Sequence, residues 1–409
     1  TPLADRFDNV ARAARRAGFN PTLFGYTDTG IDPVLADGPD DPRLDVYDEV
    51  LPGFSVGLRL PENQAPYLAY LESLGYDVRG RWLEVLASEP SRPAEHSHSA
   101  FLTDAYLRWL ERQGPGWFAH LSYLRPHSPY AAAGEYSRRY REEDMSLPIP
   151  AGDELHALHR AALGNKLVAA PTAERELRAL RAQYLGMVSE VDHQLGRVLE
   201  AIRARGEWDD TVVVVTSDHG EQLGDHGLLE KLAFFEESYH VPLIIRDPAR
   251  SVAHGTHVER FTENVDVLPT LCELVGLEVP AQCDGSSLVG FLEGSVPEGW
   301  RDAAHWEWDW RYLFLRPGPL QHAEDLQRQN LAVLRTTSHA YVHFGDGSWK
   351  CFDLSADPTW RTEATDPQVV AGLAQALCTW RQVHLDAGYP SMLLSAERLG
   401  RWPEALARR

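Results

Sequence analysis

Short apolar runs alternate with amphipathic helical patterns over residues 1–300. Residues 212–216 begin with consecutive valines, a run typical of a short strand that is buried on both faces inside a parallel sheet. Before it, residues 172–205 carry apolar side chains at intervals of three and four, which predicts one long amphipathic helix that ends near Gly206. A helix that leads into a strand in this way predicts an α/β fold with right-handed crossovers between parallel strands.

The same two patterns recur along this part of the chain. Further strands are predicted at 22–25, 117–124 and 241–246. Further helices are predicted at 1–18, 63–76, 100–113 and 262–276, the last one interrupted by Pro269. Apolar residues of the long helix form one stripe: Leu177, Leu180, Tyr184, Val188, Val191, Leu195, Val198 and Ile202. Residues 30–62 are rich in Pro, Asp and Gly, which predicts a long surface excursion.

The hydrophobic pattern of the sequence changes near Trp300. Alternating tryptophans at 306–310 and short apolar runs at 331–336 and 340–344 predict strands of a second, smaller sheet. A helical pattern over 367–386 should pack on that sheet. We therefore predict two domains, residues 1–300 and 301–409. The tail, 390–409, is a candidate for contacts within an oligomer.

Polar side chains follow the valine-rich strand at its carboxyl end. Open α/β sheets bind ligands just outside the carboxyl ends of their strands. There, Asp218 and His219 together could hold a divalent cation, and Gly220 would let the backbone turn away. Lys231, thirteen residues after Asp218, could return to the same crevice as a point charge for an anion. A simple capped turn would explain Asp-His-Gly equally well.

Two other predicted strands also end in polar residues. Tyr26 and Asp28 follow the first strand, in GYTDTG, a segment that on its own is typical of a polar loop. His127 follows the strand at 117–124 and lies between two prolines, a setting that is usually structural. Because three strands deliver polar groups from the same kind of end, a functional role is favoured for His127.

The charge balance restricts the partners that the chain can have. Sixty acidic residues against 39 basic ones give a formal net charge of −21, which argues against nucleic acid or an anionic membrane as a partner. A small anionic substrate would need concentrated local positive charge, which a metal together with Lys231 would supply. No apolar run is long enough to span a membrane, and no signal peptide opens the sequence.

Cysteines and a histidine pair add little chemistry of their own. The scattered cysteines suggest neither a zinc site nor a disulfide framework, which favours a reduced, cytoplasmic protein. They are Cys272, Cys283, Cys351 and Cys378. His96 and His98, in PAEHSHSA, have no carboxylate or cysteine at ligand spacing, so we interpret them as part of a polar loop before a helix.

The block at 218–231 resembles the second signature of the sulfatase and phosphonate monoester hydrolase branch of the alkaline phosphatase superfamily. That resemblance implies an alkaline-phosphatase-like, mostly parallel sheet flanked by helices, with a smaller α+β subdomain built from a four-stranded antiparallel sheet and a helix. It implies that Asp218 and His219 bind one metal ion and that Lys231 binds the anionic group. Many arylsulfatases have Asn where His219 stands. A nitrogen ligand suits Mn²⁺, Zn²⁺ or Fe²⁺ better than Ca²⁺. Mn²⁺ is our preferred ion, and Ca²⁺, Mg²⁺, Zn²⁺ and Fe²⁺ stay open as alternatives.

The resemblance extends to the other two strand ends. His127 matches the histidine of a P-H-x-P element that contacts the substrate and assists the leaving group. Tyr26 matches the first residue of a Tyr-x-Thr pair that touches the anion in phosphonate monoester hydrolases. Asp28 stands where that pair has threonine, and a carboxylate there would repel a phosphonate unless it were protonated or turned aside. This departure leaves the substrate open.

The nucleophile of this family is a formylglycine made from Cys in a C-x-[PS]-x-R sequence, and no cysteine here has that context. We therefore expect a fragment that lacks roughly eighty residues at its start, including further metal ligands. The intact enzyme would be a metal-dependent hydrolase of phosphonate, phosphate or sulfate monoesters, acting on a small anionic ester and forming a dimer or tetramer.

Two alternatives stay open. One is a two-metal phosphatase or phosphodiesterase of the same superfamily, in which His226 is a ligand of a second ion and Ser or Thr is the nucleophile. The other is a non-catalytic anion-binding protein that is complete as given. Counting metal ions per chain would separate the first alternative from the one-metal hydrolase.

Overall fold

A computed structural model describes residues 4–5, 7–38, 40–310, 327–384, 392–394 and 399–401. Its helices are α1 (Val10–Arg16), α2 (Ala65–Ser73), α3 (Trp82–Ala87), α4 (His98–Leu110), α5 (Ala157–Leu163), α6 (Glu174–Ala204), α7 (Glu236–Tyr239), α8 (Val267–Leu274), α9 (Val289–Leu292) and α10 (Pro367–Val383). Its strands are β1 (Pro21–Gly25), β2 (Ser55–Arg59), β3 (Phe118–Leu121), β4 (Val213–Thr216), β5 (Leu243–Arg246), β6 (Ala303–Asp309), β7 (Asn330–Thr336), β8 (His339–Phe344), β9 (Trp349–Asp353), β10 (Met392–Leu394) and β11 (Leu399–Arg401).

A parallel sheet with the order β2-β1-β3 confirms the predicted α/β class. The predicted surface excursion over 30–62 contains a strand that the sequence did not predict, because β2 lies within it and pairs with β1. This strand, SVGLR, carries few apolar residues, so its pattern is weak. Gly57 in its centre is needed because a Cβ there would lie 2.4 Å from the ring of Phe24.

Helices α2, α3, α4 and α6 cover this sheet with one apolar core. Phe24 from β1 packs among residues of these helices, including Tyr67, Leu102, Tyr106 and Ile202. The ring of Phe24 meets that of Tyr106 edge-on at a centroid distance of 5.6 Å. The core therefore fixes the position of β1, and with it the start of the turn that follows β1.

The long helix buries a different face from the predicted stripe over part of its length. Val198 and Ile202 are buried as expected, but Val188 is 40% exposed. Gly186 is buried in the middle of the helix, because the backbone of the segment near Tyr136 passes so close that a Cβ would lie 2.5 Å from the Tyr136 carbonyl oxygen. Glu190 is also buried there, and the hydroxyl of Ser97 donates a hydrogen bond to its carboxylate.

The valine-rich strand differs from its prediction. β4 pairs with β5, and the pairing is antiparallel, with Val214 opposite Ile245. The strand is only partly buried, and its neighbour Ile244 on β5 is 61% exposed. Within the described residues, β4 has no second neighbouring strand. Consecutive valines therefore identified a strand correctly, but they did not identify its partner or its burial.

Pro269 does not interrupt a helix. Helix α8 begins two residues before it, and the proline is buried in the first turn. An amide hydrogen is not needed at that position, because the first amides of a helix have no partner within it. The predicted helix over 262–276 is therefore shorter, since a separate turn of 3₁₀ helix, Asn264–Asp266, precedes it.

The second sheet has the predicted form. Strands β6 to β9 make a four-stranded antiparallel sheet in sequential order, and α10 packs on one of its faces. The other face joins a core that includes Phe234 and Phe235 from the segment after Lys231. The boundary at residue 300 stays a prediction. The tail at 390–409 lies mostly outside the described residues.

None of the helices in the described parts of the chain has both the length and the apolar character needed to cross a bilayer.

Candidate metal and anion site

One cavity of about 330 Å³ opens where the turns after β1, β3 and β4 converge. It is lined by all six of the predicted site residues: Tyr26, Asp28, His127, Asp218, His219 and Lys231. They come from three separate segments of the chain, so the fold brings together what the sequence shows only as distant motifs. The individual roles of these residues stay predictions.

The turn after β4 fixes the tautomer of His219. Its Nδ1 donates a hydrogen bond to the carbonyl of Gly220 at 2.8 Å, so Nε2 carries the lone pair. Burial is the largest of the causes that lower the pKa of His219, and the charge of Lys231 acts in the same direction. The imidazole is therefore neutral near pH 7, and its Nε2 accepts a hydrogen bond from Lys231 Nζ at 3.0 Å.

Gly220 is required by a close approach of the backbone. A Cβ at this position would lie 2.0 Å from the carbonyl oxygen of Glu237. The amide of Gly220 also donates to the carbonyl of Ser238 at 2.7 Å. The residue after His219 is thus clamped to the segment that contains α7, and this contact sets the direction of the imidazole.

Lys231 is tied to the His127 segment through its neighbour Glu230. Glu230 has a left-handed backbone conformation, with φ of 60°. Its Oε1 accepts a hydrogen bond from the hydroxyl of Ser128 at 2.8 Å, and Ser128 Oγ lies 3.3 Å from His127 Nδ1. The rings of His127 and His219 are 5.9 Å apart between centroids. Hydrogen bonds through Ser128 therefore connect the neighbour of Lys231 to the His127 segment.

A buried ion pair supports the turn that carries His127. Arg125 donates to the carbonyls of His127 at 3.0 Å and of Pro129 at 2.8 Å. The guanidinium and its partner Glu89 both have side chains with 0% exposure, and the ion pair measures 2.5 Å. Sequence reasoning identified the Arg-Pro-His element, but it gave no signal for Glu89, which lies 36 residues away.

Tyr26 and Asp28 lie at the mouth of the turn after β1. Burial raises the pKa of the Tyr26 phenol, and the charges of Asp218 and Asp28 raise it further. The hydroxyl is therefore a neutral donor. Asp28 is exposed and has a left-handed backbone, with φ of 44°. Its carboxylate accepts no hydrogen bond from any residue that the structure describes.

Histidine 98 is buried, in contrast to the predicted polar loop. It is the first residue of α4 and is 0% exposed, and its Nε2 lies 2.9 Å from Oε1 of Gln64. Gln64 lines the same cavity. The second half of the predicted surface excursion over 30–62, from residue 47 onward, supplies a further part of the cavity wall.

The donor set suits a divalent ion in part. Oδ2 of Asp218 and Nε2 of His219 are 3.6 Å apart, and one carboxylate with one neutral imidazole suits Mn²⁺, Zn²⁺ or Fe²⁺. Protein sites for such ions use at least four ligands. Across the described ranges, no cluster of three or more His, Cys, Asp or Glu side chains is placed to hold a metal. These two residues would supply only part of the coordination shell of such an ion.

His226 does not line this cavity. It is 1% exposed, and its ring stacks on that of Phe235 at a centroid distance of 3.5 Å. The four cysteines are also absent from the residues that line it.

Comparison with known proteins agrees with this architecture. The family model described as "Sulfatase" matches residues 1–277, and the model described as "N-sulphoglucosamine sulphohydrolase, C-terminal" matches residues 224–379. A "multifunctional alkaline phosphatase superfamily protein PehA" of Trinickia caryophylli is 36% identical over 94% of this chain and 81% of its own length.

Two solved structures are similar over nearly the whole chain. A phosphonate monoester hydrolase of Agrobacterium radiobacter aligns with a TM-score of 0.84 and 39% identity, covering 98% of this chain and 86% of its own. A phosphonate monoester hydrolase from Silicibacter pomeroyi aligns with a TM-score of 0.81 and 30% identity, covering 98% of this chain and 85% of its own. The chain therefore belongs to the sulfatase family of the alkaline phosphatase superfamily.

Proposed function

We propose that this chain is a metal-dependent hydrolase of phosphonate, phosphate or sulfate monoesters. The observation that carries the proposal is the contact between Lys231 Nζ and His219 Nε2 at 3.0 Å, beside Asp218 in one cavity. An ammonium group next to a neutral imidazole and a carboxylate fits an anion bound between a cation and a metal ion. Membership of a family of ester hydrolases supports the same reaction class.

Residues of this chain would bind and orient the ester. Asp218 and His219 would hold a divalent ion, which supplies Lewis-acid polarisation of the ester when bound. Lys231 and the neutral phenol of Tyr26 would donate to the non-bridging oxygens, where negative charge increases in the transition state. His127, held by Ser128 and Arg125, would donate a proton to the departing alkoxide oxygen.

Residues 1–409 contain no cysteine that matches the family's nucleophile. None of the four cysteines lies in the sequence context that yields formylglycine, and none lines the cavity. We propose a formylglycine mechanism in the intact protein, with Mn²⁺ as the preferred ion because a histidine stands among the ligands. Phosphonate monoesters are the favoured substrates, since the two solved relatives described above, at 39% and 30% identity, are phosphonate monoester hydrolases.

A two-metal phosphatase has less support. That function would require His226 to reach a second ion next to the first. The ring of His226 is instead buried against Phe235, with a 6° angle between the planes. A non-catalytic anion-binding protein also gains no support from the solved relatives, because both of those described above are phosphonate monoester hydrolases.

Substitution of one ligand tests the site without any need for turnover. We expect Asp218→Ala to lose Mn²⁺ affinity by more than the roughly 10- to 100-fold that follows loss of an outer-shell partner. The measurement is metal content after gel filtration, together with a calorimetric titration of Mn²⁺. Asp192→Ala is the matched control, because Asp192 is an exposed aspartate on α6 that does not line the cavity.

Turnover then tests the reaction class in the intact protein. We expect hydrolysis of 4-nitrophenyl phenylphosphonate to exceed that of 4-nitrophenyl sulfate and to disappear in Asp218→Ala. Full metal content in that variant would refute the ligand assignment. Two Mn²⁺ ions per chain would favour the two-metal alternative instead.

A further inference from the structure

The imidazole of His127 is held through only one of its two nitrogens. Its Nδ1 lies 3.1 Å from the carbonyl oxygen of Ser128 and 3.3 Å from Oγ of the same residue. Nε2 has no hydrogen-bond partner among the residues that the structure describes, and His127 lines the cavity. Nε2 is therefore the ring nitrogen that is available to a bound ester.

Glu230 determines the direction of the hydrogen bonds around this ring. The hydroxyl of Ser128 donates its single proton to Oε1 of Glu230 at 2.8 Å, because a carboxylate oxygen can only accept. Oγ of Ser128 is then left with lone pairs to offer to His127, and the carbonyl of Ser128 is also an acceptor. Since both neighbours of Nδ1 are acceptors, Nδ1 carries a proton. The carboxylate of Glu230 thus fixes the ring through the serine, without touching it.

The backbone at Glu230 is held in a conformation that glutamate rarely adopts. Its amide donates to Oε1 of Glu221, and its carbonyl accepts from the amide of Gln222 at 3.1 Å. Its φ of 60° lies in the left-handed region, which glycine enters without strain. Strained residues of this kind persist where their surroundings impose the conformation, and they cluster at active sites. The bond to Ser128 is a contact that glycine at this position could not make.

We propose that Glu230 is a positioning residue for His127, which acts through Ser128 to hold the imidazole with Nε2 toward the leaving oxygen of the ester. This inference rests on the proposed function. In the proton transfer, the N–H bond at Nε2 breaks and an O–H bond forms on the departing oxygen, which takes the electron pair of the cleaved ester bond. The ring ends neutral, with its remaining proton on Nδ1. A ring that could turn freely would present Nε2 less often, so the transfer would be slower.

The dependence of the rate on the leaving group tests this proposal in the intact protein with Mn²⁺ present. The probes are phenyl phenylphosphonate and 4-nitrophenyl phenylphosphonate, which share the same acid part. Phenolate is the stronger base and needs a proton as it departs, whereas 4-nitrophenolate leaves as a stable anion. We expect Glu230→Ala and Ser128→Ala each to lower kcat/KM about tenfold for the phenyl ester and less than about twofold for the 4-nitrophenyl ester.

Further variants check that the effect passes through one chain of contacts. Glu230→Gln keeps an oxygen that can accept from Ser128, so its kcat/KM for the phenyl ester should stay within about threefold of the parent value. The double variant Glu230→Ala/Ser128→Ala should lose less than about threefold beyond either single variant, because residues that act as a unit are not additive. Glu72→Gln is the matched control and should change neither rate, because Glu72 is an exposed residue of α2 that does not line the cavity. Thermal unfolding shows which variants are folded, and Ser128→Ala carries the test if Glu230→Ala is not.

The outcomes separate this inference from the proposed function. An equal fall in kcat/KM for both esters, or a rise in KM alone, would mean that Glu230 only supports the neighbouring Lys231, and it would overturn the inference. Additive losses in the double variant would also overturn it, because Glu230 and Ser128 would then act separately. Failure of the intact parent protein to hydrolyse either ester would count against the proposed function itself, and the inference would be lost with it.

Discussion

At the scale of single residues, the structure depends on a histidine that must stay neutral. His98 is fully buried, and burial is the main reason that its pKa is lowered to about 4. In the unfolded chain its pKa is near 6.5. Between these two values the unfolded state binds more protons than the folded state, so the free energy of unfolding decreases as pH falls. The expected loss is about 1.4 kcal/mol for each pH unit below about 6.5.

A comparison of variants isolates this contribution. Urea unfolding at pH 7 and pH 5 should give a smaller pH dependence for His98→Gln than for the parent chain, by about 2 kcal/mol over that interval. His159, whose pKa burial also lowers to about 4, is present in both proteins, so its contribution cancels. Identical pH dependences would show that the imidazole of His98 is accessible to protons in the folded state.

At the residue scale, candidate site residues could be predicted from the sequence only where they stand near the end of a predicted strand. Asp218, His219 and Lys231 stand in one short block, and the sheet rule about strand ends identified them together. The bond between His98 and Gln64 joins residues 34 apart, and neither residue type is distinctive in its local sequence. Such a pair forms only when α2 and α4 pack together, so no pattern along the chain could reveal it.

At the scale of elements, one buried ion pair joins the segment after α3 to the turn after β3. Burial by itself would raise the pKa of Glu89, but the charge of Arg125 and the amide of His98 bring it below its ordinary value. Glu89 is therefore ionised, and removing it would leave the guanidinium buried without its counter-charge. We expect Glu89→Ala to lower the free energy of unfolding by about 3–5 kcal/mol in denaturant titrations.

The matched control for this prediction lies a few residues away. Glu95 is exposed, and its replacement by alanine should change the free energy of unfolding by less than about 0.5 kcal/mol. A cost below about 1 kcal/mol for Glu89→Ala would mean that water reaches Arg125, and the pair would then not be what fixes the His127 turn.

Predictability at the element scale followed the strength of the hydrophobic pattern. The long helix and strands β7 and β8 have strong periodicity, and all three were predicted close to their observed bounds. No pattern predicted β9, and the four-stranded sheet was expected only from the family resemblance. β2 was missed because a glycine and an arginine replace the apolar residues that a parallel strand usually carries. The partner of β4 was not predictable either, since strand pairing depends on which edges meet in space and not on the composition of one strand.

At the scale of the whole molecule, one apolar core contains side chains from both sides of the predicted domain boundary at residue 300. It contains Leu158 and Val168, the aromatic pair Phe234 and Phe235, and residues of the second sheet such as Val342. Phe234 and Phe344 meet edge-on at 5.7 Å between centroids, so side chains from both predicted domains share one packed volume. Phe234 and Phe235 also follow directly after Lys231. The second sheet therefore supports the segment that carries the cationic residue of the candidate site.

This shared core predicts that residues 228–235 and the second sheet unfold together. Phe234→Ala should lower the free energy of unfolding by about 3–5 kcal/mol, because it leaves a cavity among residues from both sides. Hydrogen exchange read out by mass spectrometry should show loss of protection in α5 and in β7–β8 by the same factor. Leu167→Ala, at a side chain that is 69% exposed, is the control and should cost less than about 0.5 kcal/mol. Loss of protection confined to β7–β8 would instead mean that the second sheet is an independent folding unit, and the support for Lys231 would have to come from the first domain alone.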